Sequence, residues 1–192
     1  MLSTFEPHVI LLSGPPTSGK DTLTQCLHDL DPCYVMANKF KDSTSGSSNH
    51  IIISPAEFDL MIEQEELLQW HSRYGRRYGL SRKTINTALD NRQWPIVHTG
   101  KLENLLNIKG KVHNSLSILL ACTPQTIHQR LAERHAGDLE EQATRFEAAR
   151  EELQETAHNL SYFDIIFDNN GNDPVKAAHA LNEAIIAHLV NN

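Results

Sequence analysis

Apolar residues gather into three short continuous runs at 8–12, 94–98 and 116–121, with a fourth at 163–167. Runs of that length without polar alternation predict strands buried on both faces. Between them the apolar spacing becomes helical over 21–30, 54–65, 81–91, 124–134, 139–159 and 174–190. Two of these segments carry start signals. Ser54-Pro55-Ala56-Glu57 is a capping box with proline at the first helical position, and Thr123-Pro124 repeats the cap-then-proline order. Strands alternating with helices predict an α/β fold built on a parallel sheet covered on both sides. The stretch 41–49, Lys-Asp-Ser-Thr-Ser-Gly-Ser-Ser-Asn, breaks the pattern and reads as a mobile loop. Acidic and basic residues mixed along 139–155 suit a solvated helix face.

The first apolar run leads directly into Gly14-Pro15-Pro16-Thr17-Ser18-Gly19-Lys20. This G-x-x-x-x-G-K spacing lets successive backbone N–H groups converge on one anion, and the lysine adds a point charge. The helix predicted to follow would turn its N-terminus toward the same phosphate. Asp21 departs from the pattern, since a Ser or Thr hydroxyl normally meets magnesium there. A phosphate loop between a strand and a helix predicts binding of ATP or a similar nucleotide.

Composition narrows the setting. The 192 residues make one domain with a core of its own, and the formal net charge of -7 disfavours nucleic acid as a partner. Cys26, Cys33 and Cys122 are few and unpaired in spacing, which predicts a reducing compartment without structural zinc. The first residues lack the basic and apolar blocks of a signal peptide, and no apolar segment is long enough for a bilayer. The expectation is a soluble cytoplasmic protein, monomer or homodimer, with a small phosphorylated substrate and no membrane partner.

Phosphoryl transfer to such an acceptor needs a second anion site and arginines that neutralise the moving group. Arg73, Arg76 and Arg77 cluster around Tyr74, Gly75, Tyr78 and Gly79, a dense basic and aromatic set that could also be a solvated turn. Arg130, Arg134 and Arg145 flank the short loop His135-Ala136-Gly137-Asp138, and Arg130 and Arg134 share one helix face. His98 ends the second predicted core strand, where α/β crevices bind ligands.

These residues carry a resemblance to guanylate-kinase-type proteins over nearly the whole chain. Glu57-Phe58, Leu68-Gln69-Trp70, Tyr78-Gly79, Arg130-Leu131, Arg134, Arg145, Phe163-Asp164 and Asn169 are similar to that family's blocks in order. The resemblance implies a P-loop nucleoside-monophosphate-kinase-like three-layer fold in a single kinase domain. The core would span about 1–34, 92–133 and 146–192, with an acceptor-binding subdomain at about 35–91 and a lid at about 134–145. Two departures matter. Gln69 stands where the family has a guanine-reading Glu, and Gly100 falls near an Asp with a similar task. Lys39 and Lys41 occupy the neighbourhood of its paired phosphate-holding arginines, and lysine lacks their bidentate fork.

A sister branch resembles the chain more closely: the ribose 1,5-bisphosphate phosphokinases of phosphonate metabolism, which form phosphoribosyl diphosphate from ATP. Gly19-Lys20-Asp21, Lys41-Asp42, Gly46-Ser47, Asn49-His50, Trp70-His71 and Asn169-Asn170-Gly171 carry that likeness. It implies ATP and Mg2+ as cofactors. Lys20, Arg134 and Arg145 would be catalytic. Gly14, Pro15, Pro16, Thr17, Ser18, Gly19, Lys20, Asp21, Thr22, Arg130, Asn169 and Asn170 would bind ATP, although Asn-Asn-Gly is also a plain turn. Lys41, Asn49, His50, Trp70, His71, Arg73, Arg76, Arg77 and Tyr78 would bind the acceptor. Asp21 and Thr22 would stand near magnesium, unless Asp21 is only a helix N-terminal charge. The alternatives are a nucleoside monophosphate kinase with altered base choice and a catalytically silent binding module of the same fold.

Overall fold

A computed structural model describes residues 2–43, 50–73 and 75–191, with backbone alone for Ser3 and Arg73. The predicted core strands appear as β1 (Val9–Ser13), β7 (Trp94–Thr99), β8 (Ser115–Ala121) and β9 (Ile165–Asp168), joined by a short β2 (Tyr34–Met36). They form one parallel sheet in the order β2-β7-β1-β8-β9.

The burial of β1 explains its unbroken apolar run. Ile10 and Leu12 pack under α1 (Lys20–Leu30) and α7 (Pro174–Asn191), against Leu23, Leu27, Leu181 and Ile185. Val9 and Leu11 point the other way, toward Ile85 of α3 (Arg82–Asp90) and Leu105 and Ile108 of α4 (Leu102–Lys109). Successive strand residues therefore serve opposite layers, and both faces of the sheet are covered. This is the three-layer fold expected. Helices α5 (Pro124–Arg134) and α6 (Leu139–Ala157) pack on each other through Ile127, Leu131 and Ala149. Among the described residues no helix is long and apolar enough to cross a membrane.

Both start signals form as predicted. The Ser54 side chain accepts from the Glu57 N–H and the Glu57 carboxylate from the Ser54 N–H, opening α2 (Pro55–Glu63). Thr123 accepts from the Thr126 N–H at the start of α5.

The chain also holds a second sheet that the apolar runs did not announce. It comprises β3 (Lys39–Asp42), β4 (His50–Ile53), β5 (Leu67–Arg73) and β6 (Arg76–Ser81), in the order β4-β3-β6-β5. Lys41 and Asp42, expected in a mobile loop, are strand residues paired with Ile52 and Ile53. Ser43 is buried, its N–H donating to the Ile53 carbonyl, and the remainder of that expected loop, 44–49, lies outside the described residues.

Asp164 staples the entry of β9 to the centre of the molecule. Its carboxylate accepts from the Ser117 N–H at 2.7 Å and the Ser117 hydroxyl, and pairs with Lys109 Nζ at 3.2 Å. Burial would raise its pKa, but the Ser117 bonds and the Lys109 charge outweigh it and hold it below the ordinary 3.8. A depressed folded value gives stability that is present above the unfolded pKa and lost as pH falls through the folded one. Asp164→Asn should therefore cost about 1–3 kcal/mol at neutral pH. In thermal melts, the gap between variant and wild type should narrow from pH 7 to about pH 3.

Candidate active site

The sheet order reverses around β1, so ligands are expected beyond the carboxyl ends of its strands. Residues 14–19 curl there. Gly14 and Gly19 adopt φ of 150° and 95°, and Thr17 a left-handed 62°. A Cβ on Gly19 would lie 2.7 Å from Asn169 Nδ2, so only glycine fits between the loop and that amide. Asn169 Nδ2 in turn donates to the Ser18 carbonyl at 2.7 Å. Lys20 Nζ donates to the carbonyls of Gly14 at 2.6 Å and Pro15 at 2.9 Å, lying along its own loop.

Two cavities open on this loop. The first cavity, about 900 Å³, is lined by Thr17, Gly19, Lys20, Asp21, Thr22, Arg130, Arg134, Asn169 and Asn170, with Gln129 and Glu133 beyond those expected. Arg130 also braces the wall, its guanidinium donating to the Asn169 and Gly171 carbonyls at 2.9 Å each. Asn170 Oδ1 accepts from the Thr123 N–H at 2.7 Å and the Thr126 hydroxyl at 2.9 Å. Gly14 and Ser18 are buried and shape the loop from behind, while Pro16 faces the second cavity.

The second cavity, about 670 Å³, lies between the loop and the second sheet. His50, His71 and Tyr78 line it, His71 stacked on the Tyr78 ring at 5.6 Å and His50 edge-on at 5.2 Å. Burial, then the Lys41 and Lys39 charges, lower the His50 pKa. Lys41 Nζ sits 5.8 Å over the Tyr78 ring, but Lys41 does not itself line the cavity.

The rest of the acceptor set separates. Trp70 lies on the other face of β5, 45 % exposed and edge-on to Phe58. Arg77 is spent on Asp42 and Asp59 and stacks 4.7 Å from the Phe58 ring. Arg76 is exposed, and none of these three lines the cavity. Strand alternation puts Trp70 and Arg77 on the face opposite His71 and Tyr78, whereas Arg76 shares the face of Tyr78 but sits at the first residue of β6, beyond the cavity. Asn49 and the Arg73 side chain lie outside the described residues.

The structure adds residues that the motifs passed over. Thr99, Asn104, Glu151 and Glu152 line the second cavity, together with Arg134, Arg145, the more weakly signalled His98 and Lys39, which the resemblance places near a phosphate-holding position. Arg145 Nε holds Glu141 Oε1 at 2.6 Å. Gln69 is 5 % exposed and its Nε2 donates to Asn104 Oδ1 at 2.7 Å. His98 is neutral: burial first, then Lys20 and Lys39, lower its pKa to about 3 against the opposing pull of Asp21. Asn104 belongs to α4, whose N-cap Lys101 makes no side-chain cap, so the sequence held no start signal for it.

Asp21 and Thr22 offer hard oxygen donors beside the loop, and the Asp21 side chain is 56 % exposed. No cluster of three or more His, Cys, Asp or Glu that could cage a metal occurs among the described residues. One or two protein oxygens, completed by phosphate and water, is the usual provision for magnesium, so the residues fit that ion.

A P-loop kinase fold with two cavities meeting at the phosphate loop is the class this geometry defines. The chain belongs to the guanylate kinase family, whose model matches residues 6–188. It is 24% identical over 179 residues to the guanylate kinase of Rickettsia bellii, covering 90% of this chain and 92% of that one. Against a guanylate kinase of Campylobacter jejuni it is 28% identical over 189 residues, covering 94% and 88%. In fold it resembles the crystal structure of guanylate kinase from Anaplasma phagocytophilum, with a TM-score of 0.68 at 15% identity, over 95% of this chain and 86% of that one. Shikimate kinase from Acinetobacter baumannii in complex with shikimate gives 0.53 at 15% identity, over 97% and 98%. Membership supports an ATP-dependent phosphotransferase. It does not extend to the ribose bisphosphate branch.

Proposed function

We propose that this protein transfers the γ-phosphoryl group of ATP to the phosphate of a small phosphorylated acceptor, with a nucleoside monophosphate as the first acceptor class. The observation that carries this is the junction between the two cavities. Thr17, Lys20, Asp21 and Arg134 line both. A phosphoryl group bound from one side is therefore within reach of an acceptor held on the other.

In this reading residues 35–91 hold the acceptor, 134–145 act as the lid and the remainder forms the core. An acceptor phosphate oxygen attacks the γ-phosphorus, the bond to the β,γ-bridging oxygen breaks, and ADP leaves. The attacking oxygen is already anionic, so no separate base is needed; position and charge neutralisation carry the step. Lys20 moves from the Gly14 and Pro15 carbonyls onto the phosphates, and Arg134 meets the charge between the cavities. Asp21 and Thr22 would hold magnesium, which supplies charge neutralisation on the nucleotide phosphates.

A second reading rests on a particular observation. Gln69 presents a neutral amide committed to Asn104, and Gly100 has no side chain, so neither position offers a carboxylate to the guanine N–H edge. A site lacking both should discriminate poorly for guanine and hold it weakly. Ribose 1,5-bisphosphate, which has no base, is the acceptor that this favours.

An acceptor panel separates the readings. ADP release with Mg2+ and ATP should rise at least about tenfold on adding one of GMP, dGMP, AMP or ribose 1,5-bisphosphate. Preference for a nucleotide supports the first acceptor class, and preference for the sugar bisphosphate the second. ATP hydrolysis indifferent to every acceptor would contradict both.

A further inference from the structure

His98, beside Asp21, is not used by the transfer step described above, yet its surroundings give it a defined orientation. It lies at the carboxyl end of β7, paired in register with Leu12 of β1, just before the phosphate loop. Asp21 and Thr24 are three residues apart on α1 and so share a helix face. The His98 ring spans both. Its Nε2 lies 2.8 Å from Thr24 Oγ1 and its Nδ1 3.5 Å from Asp21 Oδ1. Thr24 is buried, and Lys39 Nζ fixes the His98 backbone by donating to its carbonyl at 2.7 Å.

The charges select the tautomer. A hydrogen on Nε2 would leave the Nδ1 lone pair facing a carboxylate, which is repulsive. With Thr24 Oγ1–H donating to Nε2, the ring hydrogen sits on Nδ1 and points at Asp21. The 3.5 Å separation is longer than a finished hydrogen bond. Such contacts commonly tighten once substrates enter. The Asp21 side chain is 56 % exposed and borders both cavities, so it has room to close the gap.

We propose that His98 is a positioning residue: anchored by Thr24, it donates through Nδ1 to Asp21 and fixes that carboxylate as the metal-facing oxygen donor at the junction of the two cavities. This rests on the kinase reading. It also gives the replacement of the usual hydroxyl by Asp21 a structural counterpart, since His98 Nδ1 lies on the side of the carboxylate away from solvent. A helix N-terminal charge alone would need no such partner and would not respond to residue 98. Outer partners of metal ligands typically contribute 10–100-fold to metal affinity.

The test is Mn2+ binding followed by electron paramagnetic resonance at saturating ATP. Asp21→Asn and His98→Leu should each weaken Mn2+ binding about tenfold or more. His98→Asn, whose amide N–H falls near the Nδ1 place, should return it to within about threefold of wild type. His98→Gln reaches toward Thr24 instead and should not. ATP affinity in EDTA should be alike in all of them, which excludes general damage to the loop. Wild-type Mn2+ affinity in His98→Leu, equal rescue by His98→Gln, or indifference to Asp21→Asn would each overturn the inference while leaving ATP binding intact. Failure of the wild type to bind ATP at all would sink the kinase reading and this inference with it.

Discussion

Lys20→Met should lower turnover by on the order of 10³-fold while leaving the fold intact. The lysine stem emerges from the first residue of α1 and its ammonium now satisfies the Gly14 and Pro15 carbonyls. Those are weak claims on it, since ATP phosphates offer full negative charge in the same reach. Methionine keeps the length and apolar contact of the stem but removes the charge, so melting temperature should move little. Steady-state kinetics with ATP titration provides the check. The account expects kcat to fall far more than ATP affinity, because the charge matters most where the γ-phosphoryl group is in transit.

Arg134→Ala should cost a comparable factor, about 10³ in kcat, and Arg134→Lys should recover no more than about tenfold. The reasoning starts from the placement of α5. Thr123 caps its start, Ile127 and Leu131 are buried, and Arg130 is tied to two carbonyls of the β9–α7 connection. These contacts set the rotation of the helix about its axis. Arg134, one turn beyond Arg130, must then face the same side, and it lines both cavities. Lysine can restore the charge there but not the planar fork that spans two phosphoryl oxygens. A loss confined to acceptor KM, with kcat unchanged, would place Arg134 in acceptor binding alone.

The sequence made some of this legible and hid the rest for physical reasons. The core strands were readable because residues such as Val9 and Ile10 are buried on opposite faces, leaving no polar position to blur the run. The phosphate loop and the start of α1 were readable because residues 14–20 are set by local backbone geometry. The second sheet was not. Its β3 strand carries Lys39 and Lys41, and its β5–β6 hairpin carries charged and aromatic residues on both faces. The cluster at 70–78 looked like one site, whereas pairing of His71 with Tyr78 and of Trp70 with Gly79 divides it between faces. Asn104 reaches the second cavity only through tertiary packing, which leaves no local trace in the sequence.

Phosphorus NMR of the purified protein with Mg2+, ATP and the preferred acceptor tests the central claim most directly. If the phosphoryl group crosses the junction lined by Thr17, Lys20, Asp21 and Arg134, the ATP signals give way to those of ADP. The acceptor's monoester signal should be replaced in step by a coupled diphosphate pair. Growth of inorganic phosphate alone, with the acceptor signal unchanged, would contradict the account.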